Sequence, residues 1–136
     1  VATSVTLLNA LTSYGLPAPT TLAFNPFPYF TQNNLFAGYP CVTSIKTRTG
    51  AILDARFIAS GGATLSEWAE YLGCFASVSS TYAENSSLPA FRDTLAAVFA
   101  PGSRYFMGIN YLRSALGLVG GGHMSPLGAY AADADM

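Results

Sequence analysis

Five of the eight prolines fall between residues 16 and 40, and that crowding constrains the chain more than any other feature. Proline has no amide N–H and a fixed φ. The run Asn25-Pro26-Phe27-Pro28-Tyr29-Phe30 therefore cannot continue as regular helix or central strand. Its aromatics predict a loop laid onto the core. Ahead of it, residues 1–14 read as a helix. At about 100° per residue, Val1, Val5, Leu7, Leu8, Leu11 and Tyr14 fill nearly half the circumference. Thr6, Asn9 and Ser13 take the other side. Gly15 is the stop signal, and Pro17 and Pro19 reinforce it.

Beyond the loop the signals are shorter. Thr31 is a candidate cap for a short helix over 31–37. Residues 41–59 are ambiguous, with a weak helix or turn near 51–58. Thr64-Leu65-Ser66-Glu67 is a capping box that opens a helix through Tyr71, stopped by Gly73. Weak alternation over 74–79 predicts a strand. Ser86 or Ser87 caps a helix with Pro89 in its first turn, running to Ala100. Leu88, Phe91, Leu95, Val98 and Phe99 form its apolar face, and Pro101-Gly102 ends it. Residues 104–112 are the best strand. A glycine-rich turn over 118–122 leads to a second strand, 123–131, paired antiparallel to the first. Helices come early and strands late, so the class is α+β.

Composition narrows the function. The chain is 51% apolar and 13% aromatic, which excludes disorder. The net charge of −1 leaves no basic patch for tracking phosphates, so nucleic acid is not an expected partner. No apolar run reaches the roughly 18 residues of a membrane span. Only 10% of residues are charged, against a usual ~25%. That fits a piece of a larger body or a surface covered by a partner. The chain opens at Val1 inside a helical pattern and closes in the turn Asp133-Ala134-Asp135-Met136. It is read as one domain, 1–136, cut before Val1 and after Met136.

His123 is the sole histidine, at the junction of Gly120-Gly121-Gly122 with a strand. Imidazole titrates near neutrality and is the usual general base; a hydrogen-bonded structural histidine is the other reading. The glycines, Gly122 nearest, allow close approach of a substrate to bare backbone, or simply a flexible turn. They are not a phosphate loop, because no Gly-Lys-Ser/Thr follows. Cys41 and Cys74 read as buried small apolar residues, since neither begins a convincing helix that would favour thiolate. A disulfide between them is the alternative. Asp133 and Asp135 read as solvated turn carboxylates, too few for calcium. Asn85-Ser86-Ser87 matches the common glycosylation sequon. No Gly-x-Ser-x-Gly elbow occurs, and the histidine and cysteines lack the close spacing of a metal site.

Two separated segments resemble one family. Val1-Ala2-Thr3-Ser4-Val5-Thr6-Leu7-Leu8-Asn9-Ala10-Leu11 is similar to the helix behind the nucleophile of phytochelatin synthases, where Cys-Gly precedes a Leu-Asn-Ala-Leu pattern. Gly122-His123-Met124-Ser125-Pro126-Leu127-Gly128-Ala129-Tyr130 resembles that family's histidine motif. Phe30-Thr31-Gln32-Asn33-Asn34-Leu35-Phe36, Ala63-Thr64-Leu65 and Asn110-Tyr111-Leu112-Arg113 look like its short bacterial branch. The resemblance implies a papain-like fold in which a buried N-terminal helix packs on a small antiparallel sheet. It also implies glutathione, or a related γ-glutamyl thiol peptide, as substrate. A cysteine thiolate forms a γ-Glu-Cys acyl-enzyme with loss of glycine, and passes the acyl group to glutathione or water. His123 is the implied catalytic acid–base, with Gly122 beside the substrate.

No tightly bound cofactor is implied; heavy metals enter this family's chemistry as thiolate complexes of the substrate. The family pattern puts the nucleophile just upstream of Val1 and the orienting Asp beyond Met136. The chain alone is therefore expected to be inactive, with the activity belonging to its parent. The alternative is a catalytically inactive papain-like binding domain. The compartment, cytoplasmic or periplasmic, and the oligomeric state are left open by the sequence.

Overall fold

The computed structural model describes residues 1–136 as two compact units, Val1–Ser80 and Thr81–Met136. The class is mixed α+β, with five α-helices and one two-stranded antiparallel sheet. In chain order these are α1 (Ala2–Thr12), α2 (Pro40–Ser44), α3 (Ala55–Gly61), α4 (Leu65–Gly73), α5 (Leu88–Val98), β1 (Met107–Leu112) and β2 (Gly122–Leu127). No helix is long and apolar enough to cross a membrane.

The first unit holds nine of the ten buried hydrophobic residues, among them Leu7, Leu8, Phe30, Leu35, Val42, Leu53 and Trp68. Helix α1 forms where periodicity puts it, but its buried face is rotated. Leu7 and Leu8 are inside as expected, joined by Thr3 and Ser4, while Val1 and Tyr14 are exposed. The cause is a polar partner far along the chain. The Trp68 indole N–H donates to Ser4 Oγ at 3.0 Å, and both groups are buried. A satisfied hydroxyl belongs inside when the alternative is an unpaired indole N–H.

The proline-rich loop is laid onto the core through one aromatic. Phe30 is fully buried and meets Phe75 edge-on at 5.7 Å and Tyr39 in a stack at 6.2 Å. Phe24, Phe27 and Tyr29 remain exposed, so the expectation holds for only part of the run. Proline leaves this segment without helix or ladder bonds, and Asn9 of α1 supplies two. Its Nδ2 donates to the Phe30 carbonyl and its Oδ1 accepts from the Phe30 N–H, each at 2.9 Å. Asn9 thus works inward, not on a polar outer face. Replacing Asn9 with alanine strands the amide of a fully buried residue. We expect a loss of about 1–3 kcal/mol, read as a lowered urea midpoint with unchanged slope.

Three local expectations are overturned. Residues 32–36 are successive turns, not a helix, because the Asn34 side chain accepts the Thr31 N–H at 2.7 Å and donates to the Tyr29 carbonyl at 3.0 Å. Such side-chain bonds compete with helical ones. Residues 74–79 are not a strand. Cys74 is the C-cap of α4, its N–H turned back to the Tyr71 carbonyl at 3.2 Å. The cysteines are not free apolar fillers: Cys41 and Cys74 form a disulfide, closing a separation of 33 residues. The ambiguous stretch resolves into α2, a Lys46–Ile52 bridge and α3, the last capped by Asp54, which accepts the Phe57 N–H at 2.8 Å.

The capping box of α4 is present in full. Thr64 Oγ1 accepts the Glu67 N–H, and the Glu67 carboxylate accepts the Thr64 N–H. In the second unit Ser87 caps α5, with Pro89 in the first turn. The apolar face expected of α5 is mostly uncovered: Leu95 is buried, whereas Leu88 and Phe91 are exposed.

Candidate functional site

The β1–β2 hairpin places His123. The register pairs Met107 with Leu127, Ile109 with Ser125 and Tyr111 with His123. Residues directly opposite share a face, and alternate residues along a strand return to it. His123 therefore stands on the face of Tyr111, Ile109 and Met107. Asn110, paired with Met124, and Gly108, paired with Pro126, take the other face. His123 is solvent-exposed, and its ring meets the half-buried Tyr111 ring edge-on at 5.8 Å. An exposed imidazole braced by one ring at the start of a strand can exchange protons with a bound molecule.

The connection before it is built on Arg113. After β1 the chain makes a single turn of 3-10 helix, Arg113–Leu116, closed by Gly117 in the left-handed region. The Arg113 N–H donates to the Gly121 carbonyl at 3.2 Å, and its guanidinium Nε reaches the same oxygen at 3.5 Å. Gly120 crosses this guanidinium with φ at +115°. A Cβ at Gly120 would lie 2.6 Å from Arg113 Cζ and 2.8 Å from Nε, so the guanidinium, the free end of a flexible side chain, would have to swing aside. Glycine is thus favoured at residue 120 by the sign of φ, which L side chains rarely adopt. Gly120→Ala is expected to cost about 1–2 kcal/mol of hairpin stability. Faster amide exchange across β1 and β2, with helix α4 unaffected, checks it.

Gly122 differs. It pairs with Leu112 as the first residue of β2, and a Cβ there would meet Asn110 Oδ1 at an ordinary 3.6 Å. The backbone does not demand glycine at this position.

Sequence reasoning missed two residues here, Tyr111 and Arg113. Both lie in Asn110-Tyr111-Leu112-Arg113, a segment singled out for its resemblance alone. The signal was present in the hairpin: once residues 107–112 and 122–127 pair, Tyr111 must oppose the histidine. Asp135 was also misjudged. It is exposed, but Arg92 of α5 holds it through Nε at 2.8 Å and through Nη2, and the Tyr130 hydroxyl donates to it at 3.0 Å. The Arg92 hydrogen bond, then that of Tyr130, keeps its carboxyl below the usual carboxylate range. Asp133 is an exposed turn residue as expected.

No group of three or more His, Cys, Asp or Glu side chains stands together as a metal site. With Cys41 and Cys74 joined, neither is a free nucleophile.

A search of curated proteins returns no match. A comparison with protein families aligns residues 1–136 with phytochelatin synthase, a family of enzymes. That match spans the chain from the helix at Val1 through the histidine hairpin, and the chain belongs to the phytochelatin synthase family.

Proposed function

We propose that the protein from which this chain comes is a glutathione γ-glutamylcysteinyltransferase-like enzyme that works largely as a hydrolase. The supporting observation is His123, exposed on the second pair of a hairpin, within a chain whose whole length matches the family. Membership implies a papain-like fold, with the nucleophilic cysteine two residues before Val1, at the N-terminal end of α1. The N-terminal end of a helix carries partial positive charge, and with a neighbouring imidazolium it favours thiolate at neutral pH.

The thiolate attacks the carbonyl carbon of the Cys–Gly bond of glutathione. Backbone donors near the nucleophile hold the oxyanion. The tetrahedral adduct collapses as His123 gives its proton to the leaving glycine nitrogen, and the C–N bond breaks. His123 then takes a proton from water, which attacks the thioester and frees γ-Glu-Cys. When the amine of a second glutathione attacks instead, the product is one γ-Glu-Cys unit longer. An aspartate beyond Met136 orients the imidazole through its other nitrogen. Heavy-metal ions enter as glutathione thiolates, part of the substrate.

The deciding experiment is glycine release from glutathione by the full-length protein, with the residue two positions before Val1 identified from the gene. Cysteine there and glycine release support the proposal. Any other residue, with no release, leaves a papain-like binding domain.

A further inference from the structure

We propose that the Cys41–Cys74 disulfide is an exchange site, at which a small thiol attaches to Cys41 and releases Cys74 while residues 1–80 stay folded. The proposal does not depend on glutathione being the substrate of the enzyme.

The two cysteines differ in exposure. Cys41, the second residue of α2, is exposed, whereas Cys74, the C-cap of α4, is half-buried. Thiol–disulfide exchange is governed by which sulfur an incoming thiolate can reach. A thiolate RS⁻ therefore attacks Cys41 Sγ. The new RS–S bond forms, the bond between the two cysteines breaks, and Cys74 leaves as thiolate and takes a proton. A second thiol attacking the RS sulfur completes reduction, giving RSSR and the Cys41 thiol.

The fold keeps both halves in place when the bond opens. The hydrogen bonds that shape each cysteine's turn are local to it. Thr43 N–H donates to the Tyr39 carbonyl at 3.2 Å on one side, and Phe75 N–H to the Leu72 carbonyl at 2.9 Å on the other. Buried Val42 anchors α2, and buried Trp68 and Tyr71 anchor α4. Beside the disulfide the Tyr39 and Phe75 rings meet edge-on at 4.8 Å, a non-covalent tie between the same two segments. The Cys74 thiol thus stays near Cys41 at high effective concentration, and exchange is reversible.

The test uses the oxidised protein, reduced glutathione as probe, and a series of urea concentrations below the unfolding transition. Samples are quenched with iodoacetamide and mapped by mass spectrometry. The expected result is one glutathione on Cys41, the alkyl group on Cys74, and a rate that is flat in urea. A rate climbing with the slope of global unfolding overturns the proposal, because the bond then opens only in unfolded molecules. An adduct on Cys74, or a bond that stays closed to the thiol, overturns it equally. In a second arm, Cys74→Ser given oxidised glutathione should hold the adduct on Cys41 with its circular dichroism unchanged. Cys41→Ser should leave Cys74 at least about tenfold less reactive. If either variant fails to fold, the urea series on the unsubstituted protein decides. Glycine release is read separately, so failure of exchange and failure of the catalytic proposal are distinguishable.

Discussion

Replacing His123 with alanine in the full-length protein is expected to lower kcat for glycine release from glutathione about a thousandfold, the middle of the range for losing a general acid–base. KM should change little, because the imidazole moves a proton and does not hold the substrate in the proposed mechanism. Fold loss is not a competing explanation for this variant. His123 is exposed, and its ring packs edge-on against Tyr111. Truncating such a residue usually changes stability by no more than about 0.5 kcal/mol. His123→Gln separates two roles further. Glutamine retains a hydrogen-bonding group without a titratable proton, so it should be as inactive as alanine. The same variants should alkylate more slowly at the nucleophile, since the imidazolium no longer favours thiolate. Activity within a few-fold of the unsubstituted enzyme would remove His123 from the mechanism.

What was readable in the chain divides by distance along it. The Thr64–Glu67 capping box, the Ser87 cap and the antiparallel pairing of the histidine strand are each set by residues a few positions apart or by one turn, and all three are present. His123 was legible for the same reason, as a lone imidazole following glycines into a strand. The errors come from partners that no local pattern announces. Ser4 is buried because Trp68 needs an acceptor, 64 residues away. Asn9 faces inward because a proline-rich loop 21 residues away has a backbone to satisfy. The weak alternation over 74–79 carries no trace of the bond from Cys74 to Cys41, 33 residues away. The tie of Arg92 to Asp135 spans 43 residues, so a carboxylate that looked merely solvated proved to be paired. The demand for glycine at residue 120 comes from its φ of +115°, which only the closed turn fixes.

Glu67 is where the largest stability effect is expected. Its capping role is local, yet the same carboxylate reaches across the unit. Oε1 accepts the Arg48 N–H at 2.7 Å, while Oε2 accepts Arg48 Nη1 at 2.8 Å and the Thr64 N–H at 2.7 Å. Arg48 in turn donates to the Gly61 carbonyl at 3.2 Å and lies over the Phe57 ring. One buried carboxylate thereby joins the 46–52 turn, α3 and the start of α4. Burial alone pushes the carboxyl up. The Arg48 and Thr64 amides, the Thr64 side chain and the Arg48 charge outweigh it, so the group sits below its ordinary value. Glu67→Ala leaves these donors without their acceptor and should cost about 3 kcal/mol or more. Glu67→Gln keeps the shape and loses the charge, and should cost about 2 kcal/mol near neutral pH. The pH dependence gives the sharper check. A carboxyl depressed by folding contributes stability that is whole above its unfolded value, about 4.3, and is lost as pH falls through the lower folded value. Below that point the native protein also carries a neutral group at residue 67. The gap in urea-unfolding free energy between native and Glu67→Gln should therefore narrow as pH drops from 7 to 3. A gap that stays constant over that range would mean that the charge contributes nothing and only the shape of the side chain is felt.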